Sequence, residues 1–371
     1  MKIVKKDNGC CASSCDCETA TKPQALPDMN RFYISGAINS KIGQIPRTPS
    51  TLSARDKWEN FKVRCAIGRM KYTVEPGLYG VGDPDAASMV LVTANYKLSF
   101  DALRKELQGI NAWILVLDTK GINVWCAAGK GTFGTAELVH RIEVSGLKEI
   151  VSHKKLIVPQ LGAVGISAHH VKQQSGFSVI YGPVRAADLP VFLESGLKTT
   201  APMRRVGFTM IDRLKVIPVE LVMGFRALVY IALVFFLISG FTAKGDIFTW
   251  RAGVLPILYL VAAYLAGVVL GPLLLPWLPG RSFAVKGAFA GLIAFAGVYF
   301  TTLSASNTFE IFAWMLLITS LSSFLTLNFT GASTYTSLSG VKKEMRLAIP
   351  SQSMAAVLGA ILWIGVRIHI I

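Results

Sequence analysis

The stretch INVWCAAGKGTFGTAEL, residues 122–138, sets Cys126 beside Trp125, two alanines and Lys130, then passes three glycines into a segment that reads as a helix. Three chemistries compete for that thiol. Gly129, Gly131 and Gly134 spell G-x-G-x-x-G, but a dinucleotide loop follows its strand directly, and these glycines begin well past the strand that ends near Asp118. A phosphate loop of the Gly-Lys-Ser/Thr kind fails because Lys130 is followed by glycine. A cysteine nucleophile needs a base, and His140, His153, His169 and His170 are candidates that spacing alone does not bring to the sulfur. The third chemistry is metal ligation. Thiolate is the ligating form, and the positive end of a helix and the Lys130 ammonium both favour it. Ala127, Ala128, Gly129 and Gly131 would let a large flat ligand come close to the backbone. One thiolate beneath a macrocycle would then be an axial ligand, by analogy with haem thiolates. A thiol packed in a glycine-rich turn is the alternative without function.

The surrounding elements decide where such a cysteine sits. SMVLVTANY (88–96) and AWILVLD (112–118) read as buried strands, and SFDALRKELQG between them reads as a helix capped by Ser99 and ended by Gly109. That makes a βαβ unit. Two further runs, KLIVPQLGAVG (155–165) and FSVIYGPVR (177–185), flank a short helix that ends at Gly176. Strands alternating with helices predict a mainly parallel, Rossmann-like α/β sheet, in which ligands bind beyond the carboxyl ends of the strands. Cys126 follows such an end. Cys65 reads as a small packed hydrophobe.

Residues 1–50, rich in Ser, Thr, Pro and Asn, read as a flexible cysteine-containing tail, and 51–220 as the α/β domain. From 221 to 371 the chain is too apolar for a soluble domain, and the whole chain is 52% hydrophobic and only 16% charged. Stretches near 221–243, 253–275, 284–304, 309–328 and 347–368 can each cross a hydrocarbon core, which takes about 20 apolar residues. The expected C-terminal domain is therefore all-α, with five transmembrane helices. No secretory signal is visible after Met1. Arg281, Lys286, Lys342, Lys343 and Arg346 outnumber the basic residues flanking the opposite ends, Lys244, Arg251 and Arg367, which predicts a cytoplasmic α/β domain. The formal net charge of +16 then faces an anionic leaflet, and no nucleic-acid-binding module is recognisable. The spans hold almost no acidic residues, which speaks for an anchor over a transporter. Pro256, Pro272 and Pro276 predict a kink or break in the second span.

The segment NVWCAAGKGTFGTAEL, with PGLYGVGDPDAASMVLVTANYKLSFDALRKEL, WILVLDTKGINVWC and VPQLGAVGISAHHV, resembles the membrane corrinoid proteins of microbial mercury methylation. Their N-(V/I)-W-C-A-A-G-K signature is complete at Asn123 to Lys130, and the likeness runs from about residue 60 to 220, with a five-span tail of the same layout. The corrinoid part of that family is similar to the cofactor domain of the corrinoid iron–sulfur protein of the acetyl-CoA pathway. The resemblance implies that Cys126 lies on a short cap helix and ligates the cobalt of a cobalamin-type corrinoid from its lower face. Asn123, Val124, Trp125, Ala127, Ala128, Gly129 and Lys130 would form the rest of that helix. Thr93, Gln160, Leu161 and Gly162 would touch the corrinoid. The implied activity is that of a corrinoid-dependent methyltransferase, moving a methyl group from a methyl-folate donor or its methyltransferase to Hg(II), with a ferredoxin-like protein carrying two [4Fe-4S] clusters as reductant. The implied location is the cytoplasmic (inner) membrane. A membrane-anchored corrinoid methyl carrier of another one-carbon pathway is the alternative.

Four further cysteines crowd GCCASSCDC, namely Cys10, Cys11, Cys15 and Cys17. In a reducing compartment such a cluster suits a soft metal better than disulfides, although its spacing matches no standard zinc or iron–sulfur pattern. Capture of Hg(II) by this cluster predicts that removing residues 1–30 lowers methylmercury formation by cells, and unchanged formation would dismiss the role.

Overall fold

The computed structural model describes residues 27–240, 250–302, 307–333 and 338–368; the N-terminal cysteine cluster lies outside them. In chain order, strands β1 (Gly36–Ser40) and β2 (Gly43–Arg47) are followed by helix α1 (Ala54–Arg64) and strands β3 (Gly77–Val81) and β4 (Met89–Ala94). Next come α2 (Lys97–Arg104), β5 (Ala112–Leu117), α3 (Val124–Lys130), α4 (Thr135–Val144), α5 (Leu147–Ile150), β6 (Lys155–Val158), α6 (Ala168–Ser175) and β7 (Ser178–Tyr181). The remainder is helical: α7 (Leu189–Glu194), α8 (Met210–Leu214), α9 (Ile217–Gly240), α10 (Trp250–Leu265), α11 (Gly271–Leu274), α12 (Phe283–Thr302), α13 (Thr308–Asn328) and α14 (Leu338–Arg367).

The chain divides into two compact units. The first holds the described residues up to Ser50 together with Val74–Gly182, and the second holds Thr51–Thr73 with the chain from Pro183 onward. The second unit thus takes two segments, 51–73 and 183–220, that the sequence pattern groups with the sheet.

The first unit is a seven-stranded mixed sheet in the order β1-β2-β3-β5-β4-β6-β7. Its heart is parallel, as expected: β5, β4, β6 and β7 run in one direction. Every side chain of β5 is buried, the signature of a parallel strand covered on both faces. Three departures are corrections to the sequence reading. Gly77–Val81 is a strand that the sequence pattern does not show, antiparallel to β5 in a sheet whose other long-range pairings are parallel. Gly36–Arg47 is no tail but an antiparallel hairpin that extends the sheet through β2 and β3. Ser99 is not a cap: α2 begins two residues earlier, after Tyr96, which makes no side-chain capping bond. The early start places Lys97 and Asp101 one turn apart, and both are buried with Arg104 in a Lys97–Asp101–Arg104 ion network, with contacts of 2.7 to 2.8 Å. The Lys97 ammonium also lies over the Phe32 and Tyr33 rings, which ties the segment before β1 to α2.

Among its described residues the second unit carries five helical stretches long and apolar enough to cross a membrane, Met210–Gly240, Ala252–Leu274, Phe283–Thr301, Thr308–Gly331 and Ser339–Arg367. The first and last start well before the expected 221 and 347. Tyr259 stacks on Trp314 with ring centroids 4.7 Å apart, and Trp363 joins the same buried cluster. Where water cannot satisfy them, hydroxyls bond backbone across helices: Ser322 donates to Gly287 O at 2.8 Å and Thr326 to Gly267 O at 3.0 Å. The second span stays helical through Pro256 and breaks period later, in a π-helical turn at Ala266–Leu270 that Pro272 follows.

Candidate functional site

The apolar positions of α3 are Val124, Ala127 and Ala128, spaced i, i+3 and i+4, and they sink into the sheet unit's main core with Val92, Leu117, Phe133 and Val158. The opposite face carries Trp125, Cys126, Gly129 and Lys130, all exposed. Cys126 is a free thiol on the outer side of a helix whose inner side is fixed. Asn123 is not within the helix but its N-cap, and its Oδ1 accepts the Cys126 N–H at 2.9 Å. At the other end Gly131 takes a left-handed conformation, φ +83°, and the Thr132 N–H bonds Ala127 O at 3.0 Å. Gly134 is then the N-cap residue of α4. The three glycines of the G-x-G-x-x-G string therefore sit inside one helix, at its C-cap and before the next helix, not in a phosphate loop behind a strand.

The remaining candidate residues gather around α3. Thr93, buried, is the penultimate residue of β4, paired with Val116 of β5. Gln160, Leu161 and Gly162 form a 3₁₀ turn that Pro159 links to the end of β6. Both that turn and β4 pack against α3, at the carboxyl ends of parallel strands β4, β5 and β6. The approach between turn and helix is close. A Cβ on Gly165 would lie 2.1 Å from Phe133 O and 3.2 Å from Ala128 Cα. Gln160 Oε1 is buried and has no partner among the described residues. Around Gly129 and Gly131, by contrast, a Cβ would meet nothing within 4 Å, so space lies open beside Cys126. Among the described residues no three His, Cys, Asp or Glu come together as a metal-binding set. His153 is engaged elsewhere, its Nε2 lying 2.9 Å from Ser88 O, and His140, His169 and His170 are exposed. Cys65 is half-buried at the C-cap of α1.

Sequence reasoning missed the residues that hold the loop between β5 and α3. Asn95 Oδ1 accepts from the Thr119 N–H (3.1 Å), the Thr119 hydroxyl (2.8 Å) and the Gly121 N–H (3.0 Å), and its Nδ2 donates to Asp118 Oδ1 at 3.2 Å. Glu137, on α4, accepts from the Asp118 N–H at 2.8 Å and from Arg141 Nη2 at 2.8 Å. The only hint in the sequence is an asparagine directly after a strand, a common turn residue. Burial is the largest influence on the Asp118 carboxyl and raises its pKa, but the Lys120 hydrogen bonds and the Lys120 and Arg141 charges together hold it below the usual carboxylate range. Its contribution to folding is thus in place above about pH 3.9 and is lost as pH falls through the lowered folded value.

A family match covers the Val74–Gly182 part of this unit. Residues 68–193 match the family described as the CO dehydrogenase/acetyl-CoA synthase delta subunit. The gamma subunit of the acetyl-CoA decarbonylase/synthase complex of Methanopyrus kandleri is 36% identical over 123 residues, 33% of this chain and 26% of its own. The same subunit of Archaeoglobus fulgidus is 31% identical over 128 residues, covering 34% and 27%. That of Methanothermobacter thermautotrophicus is 30% identical over 187 residues, covering 46% and 40%. The chain thus spans about a quarter to two fifths of the length of these relatives. The family match begins before β3 and ends after β7, so it takes in α3 and the 160–162 turn.

Replacing Asn95 by alanine leaves two buried donors, the Thr119 and Gly121 N–H groups, without their acceptor in the loop that leads to α3, while the Thr119 hydroxyl keeps Ile122 O at 2.7 Å. The expected cost is about 1–3 kcal/mol, read as a lower unfolding temperature of the full chain and faster amide exchange at Thr119 and Gly121. Unchanged exchange at those two amides would contradict this role.

Proposed function

We propose that the sheet unit is a corrinoid-carrying methyl-transfer module, held at the cytoplasmic membrane by the helical unit, with the Cys126 thiolate as the residue that would hold the cobalt. The observation that carries this reading is the placement of Cys126: a free, exposed thiol on a helix packed against the carboxyl ends of parallel strands, with β4, which carries Thr93, and the Gln160–Gly162 turn packed against the same helix. The residues fit a large flat cofactor. Open space at Gly129 and Gly131 admits a ring, and the orphaned Gln160 Oε1 can accept from the amide groups at a corrinoid's edge. A bound corrinoid supplies the metal that takes up and gives away the methyl group. The protein's own part is to hold the sulfur in place. Asn123 fixes the Cys126 backbone, the Asn95 network fixes the loop before it, and the apolar face of α3 fixes its depth in the core.

The destination of the methyl group has two readings. The relatives are named as subunits of the acetyl-CoA decarbonylase/synthase complex, and this supports a methyl carrier of a one-carbon pathway, fed by a methyl-folate donor or its methyltransferase. The cysteine itself favours the second, transfer to Hg(II). A thiolate is a strong electron donor, and Cys126 in that role would tune a bound corrinoid towards giving its methyl group to a soft metal. A ferredoxin-like protein with two [4Fe-4S] clusters would serve as reductant in either case.

With corrinoid bound, Cys126→Ala should abolish methyl transfer, whereas Cys126→His should retain the cofactor colour and lose activity. A Cys126→Ala protein working at the wild-type rate would overturn the assignment. Deleting the gene separates the two destinations: a one-carbon growth defect marks the carrier, and loss of methylmercury formation with normal growth marks Hg(II).

A further inference from the structure

The helical unit contains an open-sided cavity of about 700 Å³ bordered by α12, α13 and α14, within the range of ligand pockets. Its ends differ in character. At the mouth stand Arg281 and Lys343, both exposed and neither paired with a carboxylate among the described residues. Glu344 lies beside them, but its Oε1 is already committed to α12, accepting the Ser282 hydroxyl and the Ala284 N–H at 2.7 Å each. Two cations against one engaged carboxylate leave the mouth positive. The walls below it are apolar, formed by Val285, Ala288 and Leu347. Gln352 marks the inner end, about 13 Å from Lys343 along α14 at ~1.5 Å per residue. It is buried, its Nε2 donates to Ser323 Oγ at 2.7 Å, and Ser323 donates to Ala284 O at 2.7 Å. Gln352 Oε1 has no partner among the described residues, so this end is polar and an apolar chain turns aside from it.

We propose that this cavity is a binding site for one anionic phospholipid, its phosphate between Arg281 and Lys343 and the upper part of one acyl chain along Val285, Ala288 and Leu347. Charge complementarity selects this occupant. A zwitterionic lipid leaves the two cations without net compensation at the edge of the hydrocarbon, and a soluble anion leaves the apolar walls uncovered. The inference rests on the helical unit spanning a membrane and is independent of where the methyl group goes. It makes the helical unit responsive to leaflet composition, beyond serving as a tether.

The test uses the full chain in phosphatidylcholine nanodiscs with a minor fraction of phosphatidylglycerol, with retained lipid counted by native mass spectrometry after transfer to detergent. The wild type should retain one phosphatidylglycerol. Arg281→Gln with Lys343→Gln should weaken retention about thirtyfold, and Ala288→Phe, which fills the cavity from an apolar wall, should abolish it. Lys342→Gln with Arg346→Gln, equally basic positions outside the cavity, should leave it unchanged. Equal loss in both glutamine pairs would reduce the effect to general attraction by the leaflet and overturn the site. So would displacement of the lipid by inorganic phosphate alone, which would mark a plain anion site.

Discussion

A seven-residue helix has no stability of its own in water, because too few backbone hydrogen bonds follow its costly nucleus. Everything proposed for Cys126 depends on that constraint being met from outside the helix. The core meets it from below through Val124, Ala127 and Ala128, and Asn123 and Gly131 close the two ends. The loop in front is locked by Asn95, the residue after β4, and by Glu137 from α4, so the sheet and the following helix both determine where the thiol stands. A sulfur fixed in this way cannot retreat from a ligand when the ligand's own bonding changes. Such fixed placement is what an axial ligand requires.

The parallel heart of the sheet was legible because β4, β5 and β6 are short β-branched apolar runs, a pattern that survives without knowledge of neighbours. The edge was not. GAINS and GQIPR carry few apolar residues and reveal themselves as strands only through pairing, with Ile38 and Ile45 turned towards the core. Gly77–Val81 hides for a different reason: its two glycines weaken any strand pattern, and its antiparallel direction depends on β5 alone. At the site, the motif around Cys126 and its position after β5 could be read directly. Thr93 and Gln160 were named by resemblance, and their meeting at α3 is a property of the fold. The Asn95 network could not be read at all, since three donors converging on one amide oxygen leave no periodic trace.

The helical unit has a different economy. Its helices present apolar side chains outward as well as inward, so burial cannot organise it as it does the sheet. Aromatic stacking around Trp314 and hydroxyl bonds from Ser322, Ser323 and Thr326 to backbone carbonyls do so instead. The same unit includes residues 51–73 and 183–216, polar segments that resemble a soluble domain by composition. Composition therefore marks the membrane-crossing stretches accurately, while the boundary between the two units follows packing.

The central claim is a bond between the sulfur of Cys126 and cobalt. Cobalt K-edge X-ray absorption on the full chain reconstituted with a corrinoid tests it directly. The account predicts a sulfur scatterer in the cobalt coordination shell of the wild type and its loss in Cys126→Ala. A shell made of nitrogen and oxygen alone, the same in both proteins, would contradict it.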